Sequence, residues 1–295
     1  MSTPEIESMR EALASLRRTP SLLAGFGVER RTVASDLWSE RLAIRGTGEA
    51  SLASLRSFGD VSGEEIGRYQ STLSQQALAD LVNAVEATVE GGPPPALSSG
   101  DLKILISIVA CGSRLDHVVG GDPPHLEPYA RLLRALDAAA SQARTAPKST
   151  LQLALEIPDH LPSGPQSLEL VLSFQNRGKE GAWIHNPAAH VKDEPTEHVR
   201  LWYAKRVVAD PGMMPPPLRQ YCVALEPVVR VERPLLWLGA SETEARPFST
   251  PVDLASGSYL MRASYASYQG EDTVAGQPLL RGCAFSAEMT VEVHQ

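Results

Sequence analysis

Two segments just past the midpoint, "LQLALEI" at 151–157 and "LELVLSF" at 168–174, alternate apolar and polar residues. In the second, Leu168, Leu170, Leu172 and Phe174 fall on one side and Glu169 and Ser173 on the other. That period of two is the repeat of a half-buried strand and conflicts with the helical repeat. Extended patterns recur in "AWIHN" at 182–186, "VRLWYA" at 199–204, "CVALEPVVRVE" at 222–232, "SYLMRASY" at 258–265 and "AFSAEMTVEV" at 284–293, with no long helical pattern between them. "QNRGKEG", after the second segment, offers Asn and Gly where a turn needs positive φ. Short strands separated by turns predict a β-sandwich for this half of the chain.

The first half differs. Thr3, Pro4 and Glu5 open a helix over 4–18, with Ile6, Met9, Leu13 and Leu16 at helical spacing and Pro20 ending it. Strand-like segments follow at 31–38, 41–45, 50–56 and 67–73. Ser74 then caps a helix faced by Leu78, Leu81, Val82, Val85 and Val89. Beyond the breaker "GGPPPALSSG", the apolar run "LKILISIVA" at 102–110 predicts a central strand and "SRLDHVV" its hairpin partner. Asp122 is placed to cap a third helix striped by Leu126, Tyr129, Leu132, Leu133, Leu136 and Ala140. Strands grouped with helices in this order predict an α+β domain, an antiparallel sheet with its helices on one face. A length of 295 residues suits two domains. The apolar pattern lapses in "RTAPKST" at 144–150, which divides the chain into 1–147 and 148–295.

The order of a strand, "SFQNRG", a return strand, and later a polar loop leading into "LASGSYLMRASY" resembles bacterial immunoglobulin-like sandwich domains. In such domains a Gly-x-Tyr turn opens a late strand, a place that Gly257, Ser258 and Tyr259 would take. The resemblance covers about half the chain and lacks the Cys, Trp, Cys core of antibody domains. It implies a fold and no activity.

A formal charge of -8 with acids and bases interspersed leaves no basic patch to displace phosphate counterions, which argues against nucleic acid as partner. No segment has the run of about 18 apolar residues that spans a bilayer, nor does the N-terminus carry a signal-peptide core, so the expectation is a cytoplasmic protein with no membrane association. Cys111, Cys222 and Cys283 are too scattered for a disulfide framework and are expected to be buried, reduced thiols.

Histidine density raises the question of metal chemistry. "WIHNPAAHVKDEPTEHVRLWY", 183–203, holds His185, His190 and His198 beside Asp193, Glu194 and Glu197. These are the residue types of a hydrolytic metal site, with His185, His190, His198 and Glu194 as the candidate set and Glu194 or Glu197 as base. No HExxH or facial-triad spacing occurs, so a solvated loop explains the same letters. "RGTGEAS" at 45–51 has glycines in the manner of a dinucleotide-binding turn, but a strand pattern follows it where that motif needs a helix, and a hairpin turn on Gly46 and Gly48 accounts for it. Cys111 and His117 would make a thiolate and base only if the hairpin returned one beside the other. No GxSxG elbow is present.

"ADPGMMPPPLRQ" at 209–220 combines stiff prolines with adaptable methionines, a composition suited either to recognition or to covering a sandwich edge. The reading that follows is a non-enzymatic protein-binding protein without cofactor, its contacts made by 187–198 and 209–220 or along a strand edge. Met213, Met214, Pro216, Leu218 and Trp202 are the expected binding residues. Inhibitor, immunity and defence-system roles all fit that description. The alternative is the metal-dependent hydrolase at 185–198.

Overall fold

The computed structural model describes residues 3–34, 37–55, 66–92, 102–120, 127–189, 199–206, 220–267 and 273–295. It is a mixed α+β protein of two compact units, Met1–Ser57 with Arg68–Lys148 and Phe58–Gly67 with Ser149–Gln295.

In the first unit, α1 (Thr3–Arg18) runs into a 3-10 turn at Pro20–Gly25, followed by β1 (Gly27–Ala34), β2 (Leu37–Arg45), β3 (Glu49–Ser54), β4 (Ile66–Thr72), α2 (Gln75–Gly91), β5 (Leu102–Ala110), β6 (Ser113–Gly120) and α3 (Glu127–Arg144). The strands stand in the order β4-β3-β2-β1-β5-β6. Ser74 caps α2 as its position suggests, its hydroxyl accepting from the Ala77 N–H at 3.1 Å. Asp122 and Leu126 lie outside the described residues.

Strand periodicity sets which face the helices cover. Val28, Leu42, Ile44, Ala50, Leu52, Ile106, Ile108, Leu115 and Val119 share one buried cluster with Met9, Leu13 and Leu16 of α1 and the apolar stripes of α2 and α3. The opposite face carries Arg31, Arg41, Ser51, Arg114 and Asp116, all exposed. One charge breaks the pattern. Arg30 points to the helix side, only 6% exposed, and pairs there with Glu40 of β2 and Asp137 of α3, while Arg144 also reaches Glu40. Three elements are cross-linked by these charges, with Arg30 and Glu40 shielded and Asp137 and Arg144 reaching in from the surface.

The segment read as one strand at 31–38 belongs to two, because Val33 pairs with Trp38 and Ala34 with Leu37 across an antiparallel hairpin. "LKILISIVA" is β5, which lies one place in from the edge and pairs antiparallel on both sides. "RGTGEAS" is the β2–β3 hairpin turn: the Gly48 N–H donates to Arg45 O at 2.9 Å and Gly48 has φ of 87°. Gly46 is needed for another reason. A Cβ there would lie 1.6 Å from the Leu23 carbonyl oxygen, so the turn and the 3-10 segment pack backbone on backbone.

The second unit contains β7 (Pro147–Glu156), β8 (His160–Pro162), β9 (Gly164–Gln175), β10 (Ala182–His185), β11 (Val199–Lys205), β12 (Gln220–Ala224), β13 (Glu226–Pro227), β14 (Leu235–Leu238), β15 (Thr243–Leu254), β16 (Gly257–Ser267), β17 (Thr273–Val274), β18 (Gln277–Pro278), β19 (Gly282–Phe285) and β20 (Met289–His294). One run orders β13-β15-β9-β7, another β12-β11-β16-β20-β8 with β19 also on β16, and β10 pairs with β14. Leu168, Leu170, Leu172 and Phe174 of β9 point into a cluster that also holds Phe248 of β15, Leu201 of β11, Met261 and Tyr265 of β16 and Val291 of β20. Side chains of both runs thus fill one core.

Several sequence expectations change here. The polar stretch before "LASGSY" is not a loop but β15, paired with β9 over twelve residues from Thr243↔Gln175 to Leu254↔Gly164. Pro247 and Pro251 conceal it, since a proline cannot donate to a ladder. They are tolerated because, among the described residues, the other side of β15 is paired only briefly, with β13 at Glu226 and Pro227 and through the Val228 N–H donating to Pro247 O. "AFSAEMTVEV" is two strands, both on β16, divided at Ser286. "AWIHN" does not return beside β9; its strand, β10, pairs with β14.

Asn176 explains that departure. It shows no positive φ and supplies no tight turn. It is fully buried, and its amide oxygen accepts from the Thr150 and Gly178 N–H groups at 3.0 and 2.9 Å. Its amide nitrogen donates to Glu180 O at 2.8 Å and Gly239 O at 3.0 Å. One carboxamide therefore ties β7, the end of β9, the following loop and the end of β14, with donors and acceptor all used.

Asn176→Ala strands two buried N–H donors and should lower unfolding free energy by about 2–5 kcal/mol in urea denaturation. Gly46→Ala should cost about 2–3 kcal/mol by the same measurement, because a backbone oxygen must move.

Candidate functional site

The expected binding residues divide between described and undescribed chain. Met213, Met214, Pro216 and Leu218 lie outside the described residues, as do His190, Asp193, Glu194, Glu197 and His198. Trp202 is on β11, half-buried, donating from Nε1 to the Ser264 hydroxyl at 2.8 Å with its ring 6.5 Å from that of Phe285. Ser264 and Phe285 are themselves buried, so this indole is held in place by its neighbours.

His185 ends β10, half-buried, with Nδ1 against the Ser267 hydroxyl and its carbonyl accepting from Tyr265 Oη at 3.0 Å. The beginning of the expected loop 187–198 is not solvated. Pro187, Ala188 and Ala189 are buried, pinned by the Asn186 side chain accepting from the Ala188 N–H at 3.1 Å and by the Val231 N–H donating to Ala188 O at 2.9 Å. Among the described residues no group of three or more His, Cys, Asp or Glu is placed to hold a metal ion.

The thiols also depart from expectation. Cys283 is buried, but Cys111 and Cys222 are exposed. Cys111 occupies the β5–β6 turn with φ of 47°, and Cys222 belongs to β12. His117 pairs with Ile106, five residues along β5 from Cys111, which at strand rise is about 16 Å. The hairpin does not bring thiol and imidazole together.

The extended pattern read at 222–232 contains the last three residues of β12; what sequence reasoning passed over is the place of that strand at an edge. It pairs on one side with β11, from Arg200↔Ala224 to Ala204↔Gln220, and no strand among the described residues takes its other side. Gln220, Tyr221, Cys222 and Ala224 are exposed, Tyr221 at 44%. The Tyr221 ring stacks on Tyr203 with centroids 5.3 Å apart and an interplanar angle of 16°, and Tyr259 packs on the other side of Tyr203. Burial pushes the Tyr203 and Tyr259 hydroxyls up from their ordinary pKa, with Asp253 adding to it, so this platform is neutral. Val228 and Val229 follow on the same stretch of chain, the latter 61% exposed. Tyr221 and Val223 are β-prone, but "QYCVA" carries no charge, proline or alternation that would mark it as an edge, so its position is not legible in its letters.

The first unit has a cavity of about 520 Å³, floored by Leu16, Leu23, Leu78 and Val82, with Thr47 and Asn83 among its polar lining. Its size lies within the range of small-ligand sites. The one charged lining residue, Arg17, is occupied by Glu86 and by Asn83, at 3.3 Å from the latter.

No protein-family profile matches the chain and no curated protein is similar to it. Among solved structures, a β-glucosidase from Listeria innocua in complex with glucose aligns with 51% of this chain at 15% identity and a TM-score of 0.25. The chain spans 17% of that enzyme. AvmM, which catalyses macrocyclization in alchivemycin A biosynthesis, aligns with 49% of this chain and 89% of its own length at 12% identity and a TM-score of 0.27. Scores of this size carry no argument about fold or activity.

Among the described residues, His117 is the one buried imidazole with a resolved titration shift. It is 2% exposed, its Nδ1 lies 3.1 Å from Tyr129 Oη, and its Nε2 has no hydrogen-bond partner. Tyr129 in turn donates to Gly92 O at 2.8 Å. Burial, only partly offset by Asp116, lowers the His117 pKa. The folded state therefore holds this ring neutral while the unfolded chain protonates it near its ordinary pKa of 6.5. Stability should fall as pH drops through that value, and the loss should continue down to the lowered folded pKa. In His117→Gln, urea midpoints measured from about pH 7.5 to about pH 5.5 should fall less steeply than in the natural sequence.

Proposed function

We propose that this is a soluble, cytoplasmic, non-enzymatic protein-binding protein whose second unit is an immunoglobulin-like β-sandwich, and that another protein docks along β12. The exposed edge of β12 carries the reading: five residues of β-prone backbone without a strand partner among the described residues, bearing an aromatic side chain fixed by stacking on Tyr203. An extended segment of a partner adds to such an edge through main-chain hydrogen bonds, and Tyr221 gives the contact a rigid amphipathic anchor. Residues 209–219, with Met213, Met214, Pro216 and Leu218, precede β12 in the chain and lie outside the described residues. Trp202, opposite Cys222 in the register, serves as support beneath the contact.

The sandwich assignment rests on the shared core of the two strand runs and on the start of β16. Gly257 has φ of 143°, and the Tyr259 hydroxyl donates back to Ala255 O at 2.9 Å, the kind of tyrosine-to-backbone closure that immunoglobulin-like domains use. No helix among the described residues is long and apolar enough to cross a membrane, which agrees with a soluble protein.

A photo-crosslinking amino acid in place of Tyr221 tests the reading in the native host. It should give one discrete protein adduct, absent when the same group replaces Arg134, an exposed position on α3. Adducts that are equal at both positions, or none at 221, would overturn it.

A further inference from the structure

At the far side of the run from β12, the three-residue strand β8 lies parallel to β20, with His160 opposite Glu292 and Pro162 opposite His294. Residues two apart on a strand share a face, so His160 and His294 are diagonal neighbours on one side of this edge. The contact is direct: His160 Nδ1 is 3.1 Å from His294 Nε2, and the ring centroids are 5.2 Å apart at 40°. Both side chains are exposed.

We propose that His160 and His294 together form a binding site for a divalent transition-metal ion, of the Cu²⁺, Ni²⁺ and Zn²⁺ class. Separation is the first argument. Two imidazole nitrogens, each about 2.05 Å from one ion, lie about 2.9 Å apart at a right angle and about 3.3 Å apart at the tetrahedral angle. The observed 3.1 Å falls between those limits, so turning each of the two exposed rings by about 40° from the hydrogen-bonded line aims both nitrogens at one ion. Backbone rigidity is the second. The Glu292 N–H donates to Asp159 O at 2.9 Å and the Ser163 N–H to His294 O at 2.7 Å, which fixes both strands around the pair before any ion arrives.

Ligand chemistry is the third. Imidazole selects ions of this class over Mg²⁺ and Ca²⁺, which take oxygen donors. No third His, Cys, Asp or Glu joins the pair among the described residues, which leaves the remaining positions to water or another donor. Such a site binds in the micromolar range and stays open to a second ligand. It also joins β8 to β20, so occupancy stabilises an edge otherwise held by three residues.

The test uses the full-length chain without a histidine tag, stripped by chelator. Cu²⁺ and Ni²⁺ titrations by calorimetry should show one ion per chain, Cu²⁺ the tighter. The Cu²⁺ spectrum should show two nitrogen ligands. His160→Gln and His294→Gln should each weaken binding by at least about tenfold, whereas His185→Gln should leave it unchanged. The ion should raise the thermal midpoint of the natural sequence and not that of the double variant; far-ultraviolet circular dichroism verifies that both variants fold. Absence of saturable binding, or saturable binding that survives in the double variant, would overturn the proposal.

Discussion

The second unit depends on the pairing of β9 with β15. Twelve consecutive residue pairs fix the register, and the register decides that Leu168, Leu170, Leu172 and Phe174 face inward together with Phe248, Val252 and Leu254. A slip of one residue would turn that whole set outward, so the alternation and the pairing enforce each other. Pro247 and Pro251 add a constraint of their own. They keep a second strand from pairing along the free side of β15 beyond β13, which limits that side of the run as effectively as a charge would.

Where the strands end, single polar side chains replace regular structure. Asn176 satisfies backbone groups from three segments at the end of β9, and Asn186 does a similar service after β10. The Arg30, Glu40, Asp137 and Arg144 group does it with charge between sheet and helix in the first unit. Asn176, Asn186 and Arg30, the buried members of these sets, owe their character to closure of the fold. None adjoins the cavity lined by Leu16 and Leu78 or the edge of β12. Buried polarity in this protein therefore marks structural joints, and the candidate functional features lie on exposed edges.

Legibility in the sequence followed the strength of each local pattern. The helices at 75–91 and 127–144 and the strands β5, β6 and β9 follow from apolar spacing because each buries one continuous face, whereas β16 follows from a run buried on both faces. β15 was concealed by its prolines, whose cost disappears only when the neighbours are known. Asn176 illustrates a deeper limit. Its letters match a turn, and nothing local reveals that β7 and the ends of β9 and β14 meet around it. The histidines separate in the same way: density along the chain drew attention to 185–198, while the pair in contact, His160 and His294, is 134 residues apart and joined only by the parallel pairing of β8 with β20. Candidate sites made by pairing are invisible to motif reading.

Open edges carry a risk of their own, since an unpaired strand can recruit copies of itself. Length contains that risk at both ends of this run. β12 offers five residues, about 17 Å of ladder, and β8 offers three. Neither is long enough to hold a flat intermolecular sheet through backbone bonds alone, so stable association requires side-chain energy as well. At β12 that energy is available from Tyr221, already ordered on Tyr203, so little rotamer entropy remains to be lost on docking. At β8 it is available from two imidazoles, and an ion bridging them adds directional bonds where main-chain pairing is shortest. The two edges thus differ in the chemistry they admit: one favours an extended polypeptide with an aromatic or aliphatic counterpart, the other a metal ion and whatever donor completes its coordination.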